Sequence, residues 1–310
     1  MVRRWPAQFL LLALIWGSSF LLIKVALEAL APLHVAFGRM VLGAAALLVV
    51  LLVRRAALPR DRRLWGLLAG AALLNNVAPY TLFAYGEQYV SSVLAGIFNA
   101  TTPLLTLAVA MATLPEERPT RQRLVGLLVG FAGVLVVLGF WRGLGGTSLL
   151  GSAACLGAAA CYGLGGPYTR RYLSGRAESD LSLSTAQLLL ASLLLVLVLP
   201  VAGPVPTQLP ARVVLSMLGL GVLGTGLAYL VFYSMIRVAG ATTTSTITYV
   251  IPLVSTALGV AVLGESLSWN QPVGALVVLA GVALSQGMLR FLTRPGRVAA
   301  GPSRESVETR

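Results

Sequence analysis

Ten apolar stretches, each bounded by charge, proline or glycine, account for most of this chain. They fall at about 7–27, 33–53, 64–84, 90–112, 122–141, 149–169, 183–203, 212–236, 242–263 and 271–292. About 20 such residues cross the hydrocarbon layer as a helix, and an isolated apolar strand could not satisfy its backbone there. The pattern predicts an all-α integral membrane protein with ten transmembrane helices. Composition agrees: 57% of the 310 residues are apolar and 11% charged, against about 25% charged in soluble domains. A water-soluble enzyme and a disordered chain are both excluded. The apolar start behind Arg3 and Arg4 imitates a secretory signal, but the run continues past Gly17 to Leu27 and reads as the first span.

A net charge of +13 would suggest nucleic acid if its position were ignored. Position gives it another meaning. With the N-terminus in the cytoplasm, 19 of the 23 cations fall on the inside, Arg142 and Arg212 fall outside, and Lys24 and Arg39 lie within spans near their outer ends. That asymmetry supports ten spans with both termini cytoplasmic, the arginines meeting anionic headgroups. The expected partners are membrane lipids and a small-molecule substrate, with no nucleic acid. No G-x-x-x-x-G-K-[ST] run offers a site for ATP, and no cofactor is expected. Cys155 and Cys161, about 240° apart around a helix, can neither pair nor make a metal site alone. Oligomeric state leaves no mark in the sequence.

The chain repeats itself at offsets of 146 to 149 residues: Trp16 and Lys24 match Tyr162 and Arg170, Arg39 matches Gln187, and Asn76 and Tyr80 match Thr225 and Tyr229. Asn99, Pro103, Leu114 and Glu116 match Thr248, Pro252, Leu263 and Glu265, and Gly126 and Gly133 match Gly274 and Gly281. Five spans per copy is an odd number, so the second copy must lie upside down, as in many alternating-access carriers. The expected units are 7–141 and 149–292, followed by a cytoplasmic tail at 293–310.

These residues resemble the EamA-type branch of the drug/metabolite transporter superfamily, from about residue 8 to 290. The carrying motifs are Trp16-Gly-Ser-Ser-Phe20 with Lys24, Pro32 with Arg39, Gly224-Thr-Gly-Leu-Ala-Tyr229, and the paired signatures Pro103…Leu114-Pro-Glu116…Gly126…Gly133 and Pro252…Leu263-Gly-Glu265…Gly274…Gly281. Pro115 and the extra acid Glu117 depart from the pattern, which makes Glu265 the firmer motif position. The resemblance implies two inverted five-helix EamA repeats around a central cavity lined by helices 1, 3, 4, 6, 8 and 9. It also implies efflux of amino acids, other small metabolites or drugs across a cell inner membrane.

Pro103 and Pro252 interrupt spans and free the carbonyls four residues back, those of Asn99 and Thr248. The prolines are candidate hinges, and Asn99 and Thr248 candidate handles for a polar solute; a plain kink is the alternative. Asn76, Tyr80 and Phe83 share one face of helix 3, and Thr225, Tyr229 and Tyr233 one face of helix 8. An unpartnered amide in hydrocarbon is costly, so these faces are expected to line the cavity. Trp16 and Tyr162 add aromatic surface there, or else serve as interfacial or packing residues. Thr242, Thr243 and Thr244 read as caps, whereas Ser245, Thr248 and Tyr249 lie deeper and read as substrate contacts.

Lys24, Glu28 and Arg39 read as gating or pairing residues. One account is a Lys24–Glu28 pair at i, i+4 with both cations snorkelling outward; the other is a gate or a contact to a substrate carboxylate. His34 reads as a solvated interfacial side chain. Gly66-xxx-Gly70 and Gly126-xxx-Gly130 read as close helix contacts. The ten acids stand at helix ends, loops or tails, so neither catalysis nor a membrane-embedded proton site is indicated. Downhill export or exchange is expected, with Glu28 or His34 as a lesser proton route and sodium near Thr248 as another. A channel or a lipid- or drug-translocating protein of the same fold is the alternative.

Overall fold

The structure is a computed structural model and describes residues 5–113, 120–142, 149–239, 244 and 246–287. Among the described residues it is helical, with no strand. Ten helical segments follow one another: α1 (Trp5–Ala26), α2 (Pro32–Val53), α3 (Arg62–Gly86), α4 (Ser92–Thr113), α5 (Arg121–Leu138), α6 (Leu149–Tyr172), α7 (Asp180–Val196), α8 (Ala211–Ala239), α9 (Ile247–Leu263) and α10 (Asn270–Ser285). Of these, α1 to α6 and α8 are long and apolar enough to cross a membrane, whereas α7, α9 and α10 are apolar helices of 16 or 17 residues. Leu10, Leu14, Val49, Leu52, Leu128 and Leu193 are exposed, an apolar outer surface that suits lipid.

Local chemistry sets the ends. Asp61, Ser91, Thr120 and Ser179 each accept a hydrogen bond from a first-turn N–H of the following helix, satisfying donors the helix cannot. α7 stops at Val196 rather than near 203, because Pro200 opens a separate 3-10 turn, Leu199–Ala202. α10 stops at Ser285, and the proposed tail at 293–310 lies outside the described residues.

Three helices are irregular where the apolar periodicity is smooth. α3 and α8 contain π-helical stretches, Leu73–Val77 and Gly219–Leu227, which correspond at the repeat offset. α4 breaks at Ala100–Thr101 into Ser92–Asn99 and Thr102–Thr113, with Pro103 at the start of its second half, where a missing N–H costs nothing. Pro252 and Pro167, by contrast, sit inside the continuous helices α9 and α6. The two expected hinges are therefore not equivalent: only Pro103 accompanies a break.

Packing between the repeats is reciprocal. α5 lies along α10, α1 along α9, α4 along α6, α2 along α8 and α3 along α7. Exchanging α1–α5 with α6–α10 maps each of these contacts onto another or onto itself. The motif glycines explain the closest one. A Cβ on Gly281 would stand 2.4 Å from the Gly130 nitrogen, and one on Gly126 2.5 Å from the Ser285 nitrogen, so α5 and α10 meet backbone to backbone. Gln122 donates to the Leu284 carbonyl at the end of α10, and Asn270 to the Val136 and Val137 carbonyls at the end of α5. Each helix thus caps its partner's C-terminus. Gly17 against Val254 and Gly163 against Leu105 form another such pair, between α1 and α9 and between α6 and α4. Gly70 packs on Tyr168, but Gly66 has nothing within 4 Å, so only half of that motif is a contact.

Candidate functional site

The π-helical turns place Asn76 on α3 and Thr225 on α8, both fully buried, across from polar residues of α2 and α7. Arg39 of α2 donates through Nε to the Thr225 hydroxyl at 3.0 Å, reaches the Gly224 carbonyl at 3.5 Å, and lies over the Tyr80 ring, 4.1 Å from its centroid. Gln187 of α7 donates to the Asn76 carbonyl oxygen at 2.6 Å, and the Asn76 amide donates to the Tyr229 hydroxyl at 2.8 Å. Arg39 and Gln187 are repeat mates, as are Thr225 and Asn76. The same α2–α8 contact is therefore made a second time by α7 and α3. A π-bulge inserts a residue and re-aims the following side chains, a device frequent at functional sites. Glycine makes room for it: a Cβ on Gly221 would meet Leu42 at 2.3 Å, and one on Gly43 would meet Thr225 at 2.7 Å.

Aromatic pairs flank this layer with the same symmetry. Trp16 of α1 lies 5.4 Å from Phe232 of α8, and Tyr162 of α6 lies 6.2 Å from Phe83 of α3. Trp16, Tyr162 and Tyr229 pack on the core clusters yet keep part of their surface free. Asn99 and Thr248 are half-buried. Tyr249 stands apart from the layer, donating to the Gln286 side chain beyond α10 at 2.8 Å. Ser245, with Thr242 and Thr243, lies outside the described residues.

Of the two accounts of the charged residues of α1 and α2, the pairing and snorkelling one fails. Lys24 does not pair with Glu28: its ammonium donates to the carbonyls of Glu87 and Val90, tying α1 to the α3–α4 connection. Glu28 pairs instead with Arg212 of α8 at 2.7 Å, on an exposed surface. Arg39 does not snorkel, being 8% exposed. His34 is buried rather than solvated. Spacing along one helix reports neighbours on that helix; the partners here come from other helices.

Two acids at that end of the bundle have further contacts or burial that the sequence did not indicate. Glu265, in the α9–α10 connection, accepts from the Ser92 and Val93 backbone nitrogens at 2.8 and 3.0 Å and from the Ser92 hydroxyl at 3.0 Å, capping α4. Its repeat mate Glu116 lies outside the described residues. Glu87, just past α3, is fully buried, and neither carboxyl oxygen has a hydrogen-bond partner. Burial pushes its carboxyl well above the usual carboxylate range, against the opposing pull of the Lys24 ammonium. Among the described residues no cluster of His, Cys, Asp and Glu could hold a metal ion.

The profile of the EamA-like transporter family matches this chain twice, at residues 4–139 and 149–286. The chain is 29% identical to the uncharacterized transporter YvbV of Bacillus subtilis over 278 residues, 88% of each chain. It is 27% identical to the uncharacterized inner membrane transporter YedA of Escherichia coli over 286 residues, 92% of this chain and 91% of that one. A crystal structure with 19% sequence identity superposes with a TM-score of 0.67, covering 93% of this chain and 98% of the other, and so shares the fold. Two full-length repeat matches over a bundle of apolar helices make this chain a multi-pass membrane transporter, and it belongs to the EamA-like transporter family.

Proposed function

We propose that the chain is a ten-span secondary carrier with both termini cytoplasmic, whose inverted repeats alternate access to a site between α2, α3, α7 and α8. It exports amino acids or similar small metabolites across the cell inner membrane. The observation that carries this reading is the duplicated polar layer, Arg39–Thr225 and Gln187–Asn76, set on two π-helical turns where the repeats meet. A site shared by two equivalent half-structures can face either side by exchanging their conformations. In this reading Arg39, Asn76, Tyr80, Thr225 and Tyr229 contact the solute, Trp16, Tyr162, Asn99 and Thr248 border it, and the break before Pro103 is a hinge. The basic residues on one side of the bundle support the orientation.

The test is counterflow in proteoliposomes loaded with amino acids, organic acids, sugars, nucleobases or amines. Saturable exchange that Asn76→Ala and Tyr80→Ala impair, while both variants stay folded, is the expected result. Flux linear in concentration and free of counterflow would instead mark a channel.

A further inference from the structure

The two halves of the polar layer correspond in position and in the Arg39–Thr225 and Gln187–Asn76 contacts, and they differ in charge. Arg39 and Gln187 occupy equivalent places and donate to equivalent partners, yet only Arg39 carries a charge. None of its contacts is anionic: a hydroxyl, a carbonyl at 3.5 Å and a ring face. The described acids are engaged or placed elsewhere. Glu28 pairs with Arg212 and Asp180 with Arg237, Asp61 and Glu265 cap α3 and α4, Glu178 stands in the α6–α7 connection, and Glu87 is enclosed in the α3–α4 connection, where it feels Arg39 through space but does not touch it. A buried charge with no counter-charge in contact is costly, on the order of several kcal/mol, and a transporter that keeps one at its duplicated centre has a use for it.

The geometry suits an incoming anion. The Arg39 Nη1 has no hydrogen-bond partner among the described residues and is not among the fully enclosed atoms, so in a residue that is 8% exposed it keeps a little accessible surface. A guanidinium offers a planar fork of donors that matches a carboxylate with two parallel bonds. Tyr80 backs the fork from behind, and the Trp16–Phe232 and Tyr162–Phe83 pairs supply apolar surface for the rest of a small molecule. On the opposite half, both ends of the Asn76 amide are already used, and no described acid takes part in the layer's contacts.

Resting on the site assignment above, we propose that the solute is a small organic carboxylate bound by the Arg39 guanidinium, and that an amino group on it is dispensable. The probes are acetate, benzoate, 3-phenylpropanoate and L-phenylalanine, each carboxylate set against its neutral amide, with chloride as an inorganic arm. Binding to the purified protein is read by tryptophan fluorescence and thermal shift. The expected result is saturable binding of 3-phenylpropanoate, with the amide weaker by roughly ten- to hundredfold, the span of a hydrogen bond to a charged group. Arg39→Gln should bring the acid down to the amide's affinity, and Arg39→Lys should fall between, keeping the charge without the fork.

Equal binding of acid and amide overturns the proposal. So does unchanged acid binding by Arg39→Gln, failure of every carboxylate to bind, or chloride displacing the acid at equal concentration. Should Arg39→Gln not fold, the acid-to-amide ratio in wild type and Arg39→Lys decides. Transport separates this from the broader reading. An acid that binds through Arg39 but never crosses the vesicle membrane keeps Arg39 as a carboxylate-binding residue, overturns the acid as the solute and sinks the alternating-access site assignment. Saturable counterflow of sugars or amines that is indifferent to Arg39 keeps the carrier and overturns the carboxylate proposal.

Discussion

Removing the Glu265 carboxylate tests whether a motif acid acts as a helix cap. The Ser92 and Val93 nitrogens are among the donors that the start of α4 leaves without intrahelical acceptors, and Ser91 already serves Leu94. A hydrogen bond to a charged group contributes about 1.5–3 kcal/mol, and an anion at a helix N-terminus adds about 0.3–1 kcal/mol. Glu265 is half-buried and its three bonds share one carboxylate, so water recovers part of the loss. Glu265→Ala should therefore cost about 3 kcal/mol. Glu265→Gln should cost about half as much, because its amide oxygen still accepts one N–H while its NH2 opposes the other. At roughly 2 °C per kcal/mol for a chain of this size, thermal unfolding in detergent should fall by about 6 °C and 3 °C. A double-mutant cycle with Ser92→Ala isolates the hydroxyl bond. Glu265→Gln melting with wild type, or Glu265→Ala melting with Glu265→Gln, would refute the capping argument.

Gly281→Ala drives a methyl to within 2.4 Å of α5 backbone and should destabilise by about 1–3 kcal/mol, whereas Gly66→Ala, with open space around it, should be neutral or gain up to about 1 kcal/mol; thermal unfolding of both variants tests the contrast. Asn270→Ala leaves two α5 carbonyls uncapped and should cost more than Gln122→Ala, which leaves one, a difference of about 1 kcal/mol by the same measurement. Glu87 ionises near 4.5 when unfolded and well above that when folded, so the folded form holds the extra proton and stability should fall as pH rises through that window. Melting temperatures from pH 5 to 8 should show this slope in wild type and a flatter one in Glu87→Gln; parallel profiles would count against it.

Hydropathy and the repeat offset made the helices legible, because crossing lipid leaves a long apolar run and duplication leaves paired prolines and glycines. Asn76, Tyr80, Thr225 and Tyr229 could be grouped from their helical spacing, and Asn76 does meet Tyr229. The π-helical turns were not legible, since an extra residue per turn leaves composition and average spacing unchanged. Depth along α2 is visible in sequence and leaves headgroup snorkelling and an inward role for Arg39 both open, because the glycines of α8 that let it turn inward act from another helix. Glu265 stood out as a motif residue without disclosing its task, and the Gln122 and Asn270 caps looked like ordinary polar helix starts. Such roles depend on which helix ends lie side by side, and that is settled by packing.

The contact between α5 and α10 limits how the molecule can move. Where side chains interlock, helices can slide by changing rotamers; where one backbone rests in the glycine notches of another, sliding by a single residue puts a Cβ into a peptide plane. The reciprocal amide caps hold the two rods in register as well. This seam resists shear, so in the alternating-access reading proposed above the repeats would turn about it as a pivot. The displacement then grows with distance from α5 and α10, toward the helices that hold Arg39 and Gln187.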